Sequence, residues 1–139
     1  MAIVQGEIKD DFSYAHYISY TGKKGAIGRI TDEANPNSHL EGKKVSYDRH
    51  KNVSLVLIKL DEGKRHQIRL QLAKEGFSII GDPLYGKTPG ERMYLHAFSY
   101  QFKYQDQEYK IYDENIDELK VVFNVDGILE MIHQALLSF

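Results

Sequence analysis

The chain has 139 residues, with 18 Lys and Arg against 20 Asp and Glu and 42% hydrophobic side chains. That is the size and balance of one folded unit with a single modest core, not of a disordered polyelectrolyte. The absence of cysteine excludes disulfides, thiolate metal sites and cysteine nucleophiles together. No basic stretch leading into an apolar run opens the chain, and no segment approaches the length of a membrane span. An intracellular, cytoplasmic protein without a membrane partner is therefore expected.

Residues 2–5 are a short apolar run suited to the end of a strand, and residues 12–20 mix aromatic and polar side chains without a clean period. Residues 25–31 suit a strand, while 32–42, with Asn35, Pro36, Asn37 and Gly42, read as a loop. Residues 43–48 and 53–60 read as strands. In the second, Val53, Leu55 and Leu57 alternate with Ser54, Val56 and Ile58, so both faces are largely apolar and a central place in a sheet is predicted. The period then changes. Arg65, Ile68, Arg69, Leu72 and Gly76 fall at helical spacing, and Gly76 suits the residue just past a helix end, which predicts a helix over 65–75. A short strand is expected over 77–80, then the turn GDPLYG over 81–86. Residues 93–104 and 108–112 can pair as a hairpin, 119–124 read as another strand, and 126–137 as a closing helix with Ile128, Met131, Ile132 and Ala135 on one side. The fold class is α+β: a mixed, mostly antiparallel sheet with two main helices, in one domain over 1–139.

Charge is unevenly spread. Residues 40–74 hold nine Lys and Arg against four acids, and residues 105–139 hold eight acids against Lys110 and Lys120. A basic middle beside an acidic tail either orients a polyanion or is simply two solvated faces of opposite sign. The cations gather most tightly at KRHQIR, where Arg65 and Arg69 lie four apart on one helical face. Two guanidiniums there suit a phosphate or a carboxylate, or else snorkel from an amphipathic helix. His66 and Gln67 offer polar contacts at the helix start. His66, Asp82 and His96 have no metal-ligand spacing, so no metal is expected. In GDPLYG, Gly81 and Gly86 bracket Asp82 and Tyr85; this is turn chemistry, because a phosphate-binding loop needs Lys-Ser/Thr after its second glycine.

HQIR (66–69), LA (72–73), GFSIIGDPLYG (76–86) and RMYLHAFSYQF (92–102) follow in the order and spacing of RluA-type RNA pseudouridine synthases. The resemblance is specific over 60–102 and extends back to residue 2. It implies a part of the pseudouridine synthase catalytic fold, acting on tRNA or rRNA without metal or organic cofactor. In that family an aspartate attacks a flipped-out uridine, the base rotates, and a C–C bond forms at C5. The resemblance assigns Arg69 to orienting that aspartate, Ile68 to the apolar wall beside the base, and Lys64 and Arg65 to a place near the RNA backbone; Lys43 and Lys44 are expected to join these two in salt-sensitive contacts with RNA phosphates. His66, Gln67, Gly81, Asp82, Tyr85, Gly86 and His96 complete its structural motif.

There are departures. Glu62 and Lys64 stand where the family usually has Thr and Arg, and the His-Pro pair expected near Lys103 and Tyr104 is missing. Nothing in residues 1–49 resembles the HRLD-like motif that carries the family's aspartate, nor is its tyrosine motif present. The expectation is a C-terminal portion of the catalytic domain, inactive by itself, whose partner is the missing N-terminal half. The alternative is a non-catalytic RNA-binding or partner-binding module. If Arg69 awaits the aspartate, it should face a cavity beside Ile68 unpaired; a purely structural Arg69 would lie on the outer surface or pair with Glu62 or Asp82.

Overall fold

A computed structural model describes residues 1–25 and 27–139. Five strands form one antiparallel sheet: β1 (Ala2–Gln5), β2 (Phe12–Thr21), β3 (Ile27–Thr31), β4 (Ser38–Asp48) and β5 (Val53–Leu60), in the order β1-β5-β4-β2-β3. The two-sided apolar pattern of β5 acts as expected. Val53, Leu55 and Leu57 enter one core with Ile3, Phe98, Phe123, Ile128 and Ile132. Val56 enters a second with Val4, Ile8, Leu72 and Ile79. The one polar residue among these buried positions, Ser54, is satisfied: its hydroxyl donates to the Gly6 carbonyl at 2.7 Å and accepts the Ile8 N–H at 2.9 Å.

Helix α1 (Gln67–Lys74) covers the second core, and α3 (Ile128–Leu137) covers the first. α1 starts two residues later than its side-chain spacing suggests, because His66 is in the left-handed region at φ 56°. Its end is as expected: Gly76, at φ +88°, donates to the Ala73 carbonyl while Phe77 N–H reaches Leu72. The free edge of β1 is met by two passing segments, through Ile3 N–H to Tyr94, Ile80 N–H to Ile3 and Gln5 N–H to Ser78. Residues 77–80 therefore make a single bridge to Val4 and not a full strand.

Three further expectations are corrected. β4 begins at Ser38, inside the segment read as a loop, and residues 12–20 lie in β2. Residues 119–124 are not a strand: a short helix α2 (Asp117–Lys120) runs through Leu119, and Phe123 N–H bonds to the Leu119 carbonyl. Leu119 and Phe123, four apart, point into the same core, and that helical spacing was hidden by the β-branched Val121 and Val122 between them. The expected hairpin exists as β6 (Ser99–Tyr104) and β7 (Gln107–Tyr112), but stands apart from the main sheet, with all its strand residues exposed. Cross-strand pairing puts Tyr100, Phe102, Tyr104, Tyr109 and Ile111 on one of its faces. Among the described residues no helix is long and apolar enough to cross a membrane.

Candidate active site

The site is built where β5 ends and α1 begins. A cavity of about 300 Å³ is lined by Leu60 of β5, by Lys64, His66, Gln67, Ile68 and Arg69 at the start of α1, and by Met93 and Leu95. Leu60, Ile68, Met93 and Leu95 make its walls apolar, while His66 and Arg69 bring polarity to one side. Ile68 and Arg69 thus line one cavity together.

Arg69 is not unpaired, and this corrects the expectation. Its Nε donates to Asp82 Oδ2 at 2.8 Å and its Nη2 to Asp82 Oδ1 at 2.6 Å, with the Asp82 side chain 1% exposed. Two parallel bonds fix a guanidinium in plane as well as in place. Asp82 is itself held, because its Oδ1 also accepts the N–H groups of Leu84 and Tyr85 at 2.9 and 3.1 Å. Burial alone would raise the Asp82 pKa, but the bonds from Arg69, Leu84 and Tyr85 outweigh it and hold the carboxyl below its usual range. The same hydrogen bond raises the pKa of Arg69. The Tyr85 ring lies 5.1 Å from the guanidinium and its hydroxyl is 3.1 Å from His66 Nδ1. Burial, then the nearby charges of Arg69 and Arg65, push the His66 pKa down, which favours a neutral imidazole. Among the described residues, Arg69 Nη1 has no hydrogen-bond partner. The pairing leaves Nη1 uncommitted, on a residue that lines the cavity.

The other anticipated residues divide. Gln67 is buried and structural: its Oε1 accepts the Lys64 N–H at 3.1 Å and its Nε2 donates to the His39 carbonyl at 2.9 Å. Glu62, in the family's threonine position, accepts the His39 N–H at 2.6 Å, a bond that holds its pKa below the usual range. Lys64 does not present its charge freely; its Nζ bonds to the Asn37 carbonyl and, at 3.2 Å, to Ser38 Oγ. Arg65 is exposed. Lys43 sits opposite Leu57, which places it on the α3 face of the sheet, and it pairs with Asp11 at 3.0 Å. Lys44 reaches toward the Lys9 carbonyl at 3.5 Å. Of the four cations expected to contact RNA phosphates, Lys43 is sent by strand alternation to the face opposite Lys44 and α1. A second hollow of about 330 Å³ beside Lys43, Asp11 and Phe139 holds this neutralised pair and lies apart from the site around α1. His96 faces Asp113, with 3.2 Å from Nε2 to the carbonyl oxygen, and does not line the α1 cavity. Among the described residues no three His, Asp or Glu side chains are grouped to hold a metal.

Residues 1–74 match the family model described as RNA pseudouridylate synthase. The chain belongs to that family. Among its pseudouridine synthase relatives, an uncharacterised RNA pseudouridine synthase of Helicobacter pylori is 34% identical over 94 residues, covering 60% of this chain and 29% of that protein. Ribosomal large subunit pseudouridine synthase D of Zymomonas mobilis is 42% identical over 38 residues, covering 27% of this chain and 12% of that protein. The RluA-type resemblance read from HQIR and GDPLYG is thereby borne out. The fold is that of the human RNA pseudouridylate synthase domain containing 1, with a TM-score of 0.70 at 22% identity over 83% of this chain and 53% of that one. The chain spans less than a third of the length of the curated relatives. Sequence reasoning named Asp82 only as a partner for a purely structural Arg69, and it missed the roles of Leu60, Met93 and Leu95 as cavity wall. A separation of 13 residues across a helix end and a turn carries no periodic signal that would choose Asp82 over Glu62.

Proposed function

We propose that this chain supplies the arginine-bearing wall of an RNA pseudouridine synthase active site, and that a nucleophile-bearing half, encoded upstream or separately, completes it. The observation that carries this reading is Arg69. It lines an otherwise largely apolar cavity beside Ile68, is fixed along one edge by Asp82, and keeps Nη1 available for a second carboxylate. A cation so placed keeps an aspartate ionised and aimed within a partly dry pocket, while the apolar wall receives the flipped base. The net change in the uridine is isomerisation: the C1′–N1 bond breaks, a C1′–C5 bond forms, the C5 hydrogen leaves as a proton and N1 takes one up. Arg65, exposed just before α1, contacts phosphate and positions the RNA without reading its sequence. The substrate class is tRNA or rRNA in the cytoplasm.

The test is release of tritium from RNA carrying 5-tritiated uridine. The chain alone should release none above a blank. Combined with the nucleophile-bearing half of the family it should turn over, and Arg69→Met should abolish that turnover. Release by the chain alone, removed by Asp48→Asn or Asp61→Asn, would put the nucleophile within these residues. RNA binding with no turnover in the combined form would make this a non-catalytic RNA-binding module.

A further inference from the structure

We propose that Asp82 is a positioning residue of this site, holding Arg69 by its Nε–Nη2 edge so that Nη1 keeps a fixed direction toward the incoming nucleophile. The proposal rests on the reading of Arg69 given above, and it assigns to GDPLYG a task beyond making a turn.

An arginine on the first turn of a helix has a long, rotamer-rich side chain that ordinarily stays in water. Here every rotatable part of it is constrained at its far end. Asp82 accepts two parallel bonds from it, and the guanidinium lies over the Tyr85 ring. Asp82 is in turn the centre of an anchored turn. Its Oδ1 takes the Leu84 and Tyr85 N–H groups. Gly81 stands at φ +74° with no room for a Cβ against the Arg92 carbonyl, and a Cβ on Gly86 would strike the Asp82 carbonyl. The turn is therefore held from both sides, and the carboxylate it carries has one orientation.

A pair kept for stability alone has no need of this. A buried ion pair can often be exchanged for apolar side chains at no net loss. Nor would a stabilising pair need its arginine to line the cavity that collects Ile68, His66 and the helix start. The arrangement does what active sites require: it locks a charged group through a neighbour that is itself locked.

Asp82→Asn separates the two roles. The amide oxygen can still accept the Leu84 and Tyr85 N–H groups, so the turn persists. Its NH2 now faces Arg69 Nε, donor against donor, so only the Nη2 bond to the retained oxygen survives and the guanidinium is free to turn about it. In the combined two-part enzyme, Asp82→Asn should lower kcat on the order of 100-fold with KM within about twofold, the cost of a misplacement of about 1 Å. Asp82→Glu should recover part of the loss. On the chain by itself, the Nε–H resonance of Arg69 should be sharp and slow to exchange, and should broaden in Asp82→Asn while the backbone amide spectrum remains folded. If Arg69→Met abolishes turnover but Asp82→Asn keeps kcat within about twofold, the positioning role is overturned and the active-site reading stands. If Arg69→Met leaves turnover intact, the active-site reading itself fails. An unchanged Arg69 resonance in Asp82→Asn also overturns the positioning role.

Discussion

Removing the Arg69 guanidinium would strand the Asp82 carboxylate, 1% exposed, with only two backbone N–H groups for company. Losing one partner of a buried pair costs about 3–5 kcal/mol, so Arg69→Met should lower the urea midpoint by that equivalent at neutral pH. Acid should narrow the gap. In the intact protein the Asp82 pKa is depressed, so its stabilisation is present above the unfolded carboxyl value and lost as pH falls through the folded one. In the variant the cation is gone and only the Leu84 and Tyr85 bonds oppose burial, so the carboxyl is less depressed and its protonation costs less. A deficit that stayed constant from pH 7 to pH 3 would sink this account. The sequence made both fates of Arg69 visible, cavity and ion pair, as alternatives. It did not show that one guanidinium has two edges and can serve both, because that depends on where a turn 13 residues away returns its carboxylate.

At the scale of elements, GDPLYG is the place where local conformation is most tightly prescribed. Gly81→Ala puts a Cβ against the Arg92 carbonyl and forces a left-handed backbone on alanine. Such strain costs about 1–3 kcal/mol before any clash is relieved. Gly63→Ala, where a Cβ meets open space, should stay within about 0.5 kcal/mol. Equal chemical-denaturation midpoints for the two variants would contradict the turn geometry. The strongly patterned elements were legible: β5 through its two apolar faces, α1 through its 3.6-residue spacing and Gly76, and α3 through Ile128 and Ile132. The weakly patterned ones were not. β2 presents a half-exposed mixture that no period describes, and α2 is decided by the burial of Leu119 and Phe123, a tertiary fact.

For the whole molecule, the charge asymmetry of the sequence survives folding only in part. Residues 40–74 carry the excess of cations, but Lys43 is neutralised by Asp11 on the α3 face and Lys64 is engaged by Asn37 and Ser38. Arg65 is the exposed cation at the start of α1. RNA affinity should therefore fall with salt, and Arg65→Ala should reduce the slope of log K against log salt by about 1. Lys64→Ala should leave that slope alone. Titrations by fluorescence anisotropy at several salt concentrations decide it; a flattened slope in Lys64→Ala would mean that its bonds to Asn37 and Ser38 yield to phosphate.

The β6–β7 hairpin shares no sheet with this apparatus. Its turn is made by Gln105 and Asp106, both at positive φ, and its attachment runs through Phe98, whose carbonyl accepts the Asp113 N–H and whose ring meets Tyr112. With all its strand residues exposed, hardly any core contact depends on its length or its side chains. The chain is thus divided into a part where substitutions are answered at once by the cavity and a part where they are not. Lengthening the hairpin, or exchanging its aromatic face for another surface, leaves the Arg69–Asp82 geometry untouched. An engineered peptide or reporter spliced between Gln105 and Asp106 would ride on the molecule without entering its chemistry.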